Sequence, residues 1–138
     1  MYPRELTAPM SAELVSAGVS ELHSPEEVVS VLDQQEGTTL LVVNSVCGCA
    51  AGAARPGVIA SLRSENLPDR VVTVFAGVDK EATQKAREYL LPYPPSSPAI
   101  ALFKDGKLVH MIERHHIEGR PAMMISENLK AAYETYCK

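Results

Sequence analysis

Thr38-Thr39-Leu40-Leu41-Val42-Val43-Asn44-Ser45-Val46-Cys47-Gly48-Cys49-Ala50-Ala51-Gly52-Ala53-Ala54-Arg55-Pro56 is the stretch whose reading decides the fold. Leu40 to Val43 is a short apolar run rich in β-branched residues, the pattern of a strand covered on both faces, and the predicted strand extends from Thr38 to Asn44. The alanines from Ala50 onward predict a helix to about Glu65. Pro56 either kinks that helix or marks where its regular hydrogen bonding begins. Cys47-Gly48-Cys49 therefore falls where a buried strand hands over to a helix.

Downstream, Val71 to Ala76 reads as a second buried strand, and Asp79 is positioned to cap a helix reaching about Leu91, with Ala82, Ala86, Tyr89 and Leu90 on one face. The prolines of Pro92-Tyr93-Pro94-Pro95-Ser96-Ser97-Pro98 exclude regular helix. Ala99 to Phe103 and Leu108 to Ile112 predict strands on either side of Asp105-Gly106, a dipeptide suited to a two-residue hairpin. A last helix spans roughly Gly119 to Tyr136, its inner face carrying Ile125, Leu129, Ala132 and Tyr136. Upstream, Pro9 to Gly18 predicts a short helix with Leu14 inward. Ser24-Pro25-Glu26-Glu27 reads as a capping box with proline at the first helical position, opening a helix to about Gln35.

From Thr38 the order is strand, helix, strand, helix, strand, strand, helix. A strand-helix-strand unit demands parallel pairing with a right-handed crossover, and the closing hairpin adds antiparallel strands. The fold class is thus α/β: a thioredoxin-like mixed sheet with helices on both faces and an extra N-terminal helical segment. A chain of 138 residues, 46% hydrophobic, can bury one core and has no room for two, so residues 1–138 are read as a single domain. A net charge of -4 gives no basic footprint, which argues against nucleic acid or an anionic membrane as partner. The first residues lack the apolar stretch of a secretory signal, and no span is long enough to cross a bilayer. Three cysteines are too few, and odd in number, for a secreted disulfide framework, so a cytoplasmic location is expected.

Sites in open sheets gather beyond the carboxyl ends of strands, and Cys47 lies just past Asn44. A thiolate is the nucleophile of disulfide exchange, whereas an ordinary thiol with pKa ~8.5 is mostly protonated at neutral pH. The unpaired N–H groups and dipole at the start of the following helix favour the anion, so Cys47 is expected to be acidified. Gly48 has the backbone freedom to bring the two sulfurs together, and a bridge between Cys47 and Cys49 would be readily reduced. Cys47 and Cys49 are the catalytic candidates. Gly48, Ser97 and Pro98 are candidates for contacting substrate, since Pro98 stands directly before a strand, where thioredoxin-like proteins carry a cis proline facing the reactive cysteine. Cys137 reads as a bystander unless the last helix brings it near Cys47. His115 and His116 read as a solvated loop, with no metal expected. Metal carriage is the rival chemistry, because closely spaced thiolates take soft ions and paired histidines take zinc.

The segment Asn44 to Pro56 resembles the bacilliredoxin family. The resemblance extends through Ala8-Pro9-Met10, Ser97-Pro98, Lys104-Asp105-Gly106 and Ile112-Glu113-Arg114-His115, so it covers almost the whole chain. It implies a thiol-disulfide oxidoreductase that removes bacillithiol, a small thiol, from mixed disulfides on cytoplasmic proteins. Cys47 matches the attacking cysteine and Cys49 the second motif cysteine. The implied partners are bacillithiolated proteins, with bacillithiol as co-substrate and no resident cofactor. Weak disulfide isomerase activity is also implied. A general disulfide reductase or isomerase, a metal-binding thiol protein and a non-catalytic thioredoxin-like module are the alternatives.

Overall fold

The computed structural model describes residues 2–138. In chain order it contains α1 (Arg4–Val15), β1 (Ser20–Glu21), α2 (Pro25–Leu32), β2 (Thr38–Asn44), a π-helical turn (Ala50–Ala54), α3 (Arg55–Ser61), β3 (Arg70–Phe75), α4 (Lys80–Glu88), β4 (Ala99–Lys104), β5 (Lys107–Ile112), α5 (Arg114–Ile117) and α6 (Ala122–Tyr136). The five strands form one sheet in the order β1-β3-β2-β4-β5. β2 is central, parallel to β3 and antiparallel to β4, so that Leu41 lies between Val72 and Ala101. Among the described residues no helix is long and apolar enough to cross a membrane.

Every residue of β2 is buried because the strand is covered on both faces, which is why its sequence is a continuous apolar run. Leu40 and Val42 point into a cluster with Leu14 of α1, Val58 of α3 and Leu129 of α6. Leu41 and Val43 point to the other face, against Val28 and Leu32 of α2 and Ala82 and Ala86 of α4. Each such side chain contributes about 1.5–3 kcal/mol relative to exposure, so the central strand is anchored from both sides. Its carboxyl end is thereby a fixed platform for the loop that follows.

The hairpin forms at Asp105-Gly106, both with positive φ (50° and 80°), as its two-residue turn requires. Ser24 caps α2 by accepting the Glu27 N–H at 3.2 Å, while the Glu27 carboxylate reaches back to the N–H of His23 rather than of Ser24. Several boundaries move. α1 begins at Arg4 and carries Pro9 inside it, with Thr7 and Leu14 buried and Leu14 packed into the core cluster. α2 stops at Leu32, not Gln35, and α4 at Glu88, not Leu91. The Asp79 carboxylate does not cap α4; it lies 3.3 Å from Nδ1 of His23 instead. The last helix begins at Ala122 instead of Gly119, and its buried tyrosine is Tyr133, whose hydroxyl meets that of Ser61 at 2.9 Å, while Tyr136 is half-buried.

α3 and α6 approach closely at Gly57, where an added Cβ would stand 2.6 Å from Cβ of Ile125 and 3.0 Å from the carbonyl oxygen of Ala122. Backbone and a β-branched side chain cannot yield cheaply there. Gly57→Ala is therefore expected to destabilise the protein by about 1–3 kcal/mol, read as a lower urea midpoint at constant slope. An unchanged midpoint would contradict this packing.

Candidate thiol site at the carboxyl end of the central strand

The chain leaves β2 through a turn held by buried polar groups. Asn44 Oδ1 accepts the N–H of Ser45 at 2.8 Å and Nη1 of Arg55 at 3.0 Å, and the same Nη1 donates to the Ser45 carbonyl at 2.9 Å. Ser45 Oγ in turn accepts the N–H of Cys47 at 3.0 Å. The Cys47 carbonyl takes the N–H groups of Ala50 and Ala51 at 2.9 and 3.3 Å, which sets residue 47 at the amino end of the helical segment. That segment starts as a wide π turn and becomes α-helical at Arg55. Pro56 marks this change: its ring nitrogen has no N–H to give Gly52, so the regular ladder begins beyond it.

The sulfurs of Cys47 and Cys49 lie 2.6 Å apart, both partly exposed, with the exposed Gly48 between them. The N–H of Cys49 also points at the Cys47 sulfur, at 3.4 Å. These contacts hold Cys47 below the ordinary thiol range. The hydrogen bond from the Cys49 thiol is the largest cause; burial opposes it and comes second, and the N–H of Cys49, the charge of Arg114 and the N–H of Ala50 each add a smaller lowering effect. Cys49 goes the other way, pushed up to about 11 by burial and by the hydrogen bond and charge it shares with Cys47. Of the two sulfurs, Cys47 is the one that more readily becomes an anion. The acidification expected from the helix end is present, but the neighbouring thiol is the larger contributor.

Arg114, to which the sequence reading gave no role, joins the two halves of the site. Its backbone N–H donates to Ser96 Oγ at 3.3 Å, its Nη1 donates to the Ser97 carbonyl at 3.3 Å, and its Nε pairs with Glu118. The Ser97–Pro98 peptide bond is cis, as is Leu91–Pro92. Because Val43 pairs with Ala99, Pro98 falls one residue beyond that pair, level with Asn44 and the start of the thiol loop.

Cys137 is not part of this arrangement. It sits beside Thr38, at the opposite end of β2, with its thiol pushed up chiefly by burial. At ~3.3 Å per residue, seven strand residues separate it from the Cys47 end by on the order of 20 Å. His115 and His116 lie on the short helix α5 rather than in a loop, their rings 4.0 Å apart. With Glu113 they present one donor atom each within 4.8 Å of one another.

The shared hydrogen bond makes Cys49 a determinant of the acidity of Cys47. At mildly acidic pH, Cys47 should be alkylated first and Cys49 hardly at all, by peptide mass mapping. Cys49→Ala removes the donor, so the midpoint of the Cys47 pH–alkylation profile should rise toward that of a free cysteine. A midpoint unchanged by Cys49→Ala would show that the neighbouring thiol is not the main cause.

A family described as disulphide isomerase matches residues 2–137. A bacilliredoxin of Cytophaga hutchinsonii is 63% identical over 134 residues, covering 97% of this chain and 98% of that protein. A bacilliredoxin of Halalkalibacterium halodurans is 53% identical over 137 residues, covering 99% and 95%. Among solved structures, a thioredoxin of Malassezia sympodialis superposes with a TM-score of 0.57 at 16% identity over 88% of this chain and 92% of its own, which shows the shared fold. The chain belongs to the bacilliredoxin family, a family of thiol-disulfide oxidoreductases built on the thioredoxin fold.

Proposed function

We propose that the protein removes bacillithiol from mixed disulfides on cytoplasmic proteins, with Cys47 as nucleophile. The observation that carries this reading is the placement of two neighbouring, partly exposed thiols, Cys47 and Cys49, between the carboxyl end of β2 and the amino end of the helical segment, level with Ser97 and Pro98. The Cys47 thiolate attacks the bacillithiol sulfur of the mixed disulfide. A Cys47–bacillithiol disulfide forms, the old S–S bond breaks, and the protein substrate leaves as a thiolate that takes a proton from solvent. A second bacillithiol thiolate then attacks the small thiol on Cys47, releasing oxidised bacillithiol and regenerating the Cys47 thiolate. Electrons move only between sulfurs, so the reaction needs no resident cofactor or metal.

Cys49 is the alternative resolving group, and attack by it would leave a Cys47–Cys49 disulfide. Burial, the largest cause of its raised thiol and one that persists when Cys47 is bonded to bacillithiol, works against that route. The role assigned to Cys49 is thus foremost to donate its S–H to the Cys47 anion. Ser97 and Pro98, level with the thiol loop, and the exposed Gly48 are assigned to contact the incoming chain.

A second reading, general disulfide exchange without preference for bacillithiol, is favoured by the disulphide isomerase description of the matching family. One protein loaded with either bacillithiol or glutathione separates the two, because equal turnover of both would support the general activity. For the proposed reaction, Cys49→Ala exposed to a bacillithiolated protein should gain the mass of one bacillithiol at Cys47, and Cys47→Ala should gain none and leave the substrate loaded. Transfer that persists in Cys47→Ala would overturn the assignment.

A further inference from the structure

The N-terminal helix reaches the thiol loop through one buried side chain. Arg55, at the start of α3, is only 2% exposed. A guanidinium at that depth must have its N–H groups satisfied and its charge balanced. Its Nη1 is shared between Asn44 Oδ1 and the Ser45 carbonyl, and its Nε donates to Glu13 Oε2 at 3.1 Å. Glu13 belongs to α1, and among the described residues it is the carboxylate paired with this arginine. α1 makes a second, longer link, since the Met10 carbonyl accepts Nδ2 of Asn44 at 3.5 Å. The chain of contacts then runs from Ser45 Oγ to the N–H of Cys47.

We propose that Glu13 and Arg55 are positioning residues for Cys47: α1 is a clamp that fixes Asn44 and Ser45, and so holds the Cys47 sulfur against the N–H groups at the start of the helical segment. Neither residue touches the sulfurs. The inference rests on the reading of Cys47 as nucleophile. The clamp gives α1 a part in the chemistry. It aims two oxygens of the loop at one planar fork, a geometry that a lysine ammonium at residue 55 would not reproduce. A loop released from the fork keeps its sequence but loses the fixed orientation that a near-attack geometry needs.

The test compares Glu13→Gln, Ser45→Ala and wild type in two assays: the pH profile of Cys47 alkylation and steady-state thiol transfer. Glu13→Gln removes the charge that balances Arg55 from α1, and Ser45→Ala cuts the chain of contacts next to Cys47 while leaving the Glu13–Arg55 pair intact. Both are expected to alkylate roughly three- to tenfold more slowly at mildly acidic pH and to converge with wild type at high pH, with kcat lowered by a similar factor and KM within about twofold. Should Glu13→Gln fail to fold, Arg55→Lys tests the same link, since it keeps the charge but not the fork that holds Asn44 and Ser45, and the same slower alkylation and lower kcat are expected. Variants that melt at lower temperature but keep the wild-type pH profile and kcat would overturn the clamp and leave the pair merely structural. A wild-type Cys47 that alkylates like a free thiol would overturn the proposed function and the clamp together.

Discussion

Negative charge on the sulfur of Cys47 has to be met by donors, and the chain supplies them from three directions. The Cys49 thiol lies alongside, the N–H groups of Cys49 and Ala50 come from the helical start, and the Arg114 charge comes from beyond the hairpin. None is strong alone in a partly exposed position. They act together because the loop between β2 and the π turn is held in one shape, and that shape is set by groups with no redox chemistry. The asymmetry between the sulfurs follows from position: Cys49 packs against the main core cluster, whereas Cys47 faces outward with more donors. Exchange chemistry needs this inequality, since two equal thiols would share the proton and neither would be favoured as nucleophile.

The sheet sets the rest. With β2 clamped between β3 and β4 and covered on both faces, its end cannot drift, and the residue after it inherits that rigidity. The same pairing brings the Ser97–Pro98 segment level with the loop, and the β4–β5 hairpin returns Arg114 to the same place. Small residues allow the helices to close over this end: Ala50, Ala53 and Ala54 are buried under the turn, and Gly57 lets α6 approach. Stability and chemistry therefore share residues, and the helical segment that acidifies Cys47 also carries the buried Arg55.

Much of this was legible in the sequence because the informative signals were local. The apolar run of β2, the Asp105-Gly106 turn, the Ser24 cap and the two cysteines after Asn44 each depend on a few adjacent residues. What escaped depends on distant contacts. β1 is two residues long and has no periodicity to detect. α1 keeps Pro9 inside because tertiary contacts hold it, which no propensity shows. Counting outward from the hairpin turn should have found Arg114, but a bulge at Leu102 and Phe103 shifts the register by one, so an ideal ladder would have set Glu113 beside Pro98. Arg55 was given no role in the sequence, because its burial follows from where Glu13, Asn44 and Ser45 come together in the fold. Asp79, placed as a cap, was drawn to His23 across the fold instead.

The measurement that bears most directly on the account is the ultraviolet absorbance of thiolate in the fully reduced protein, followed across pH and compared with Cys47→Ser. A titration step below the ~8.5 of a free thiol is expected, one that disappears in Cys47→Ser, with the other thiols ionising above it and Cys49 near 11. A lowest step at or above the free-thiol value, or one that survives Cys47→Ser, would contradict it.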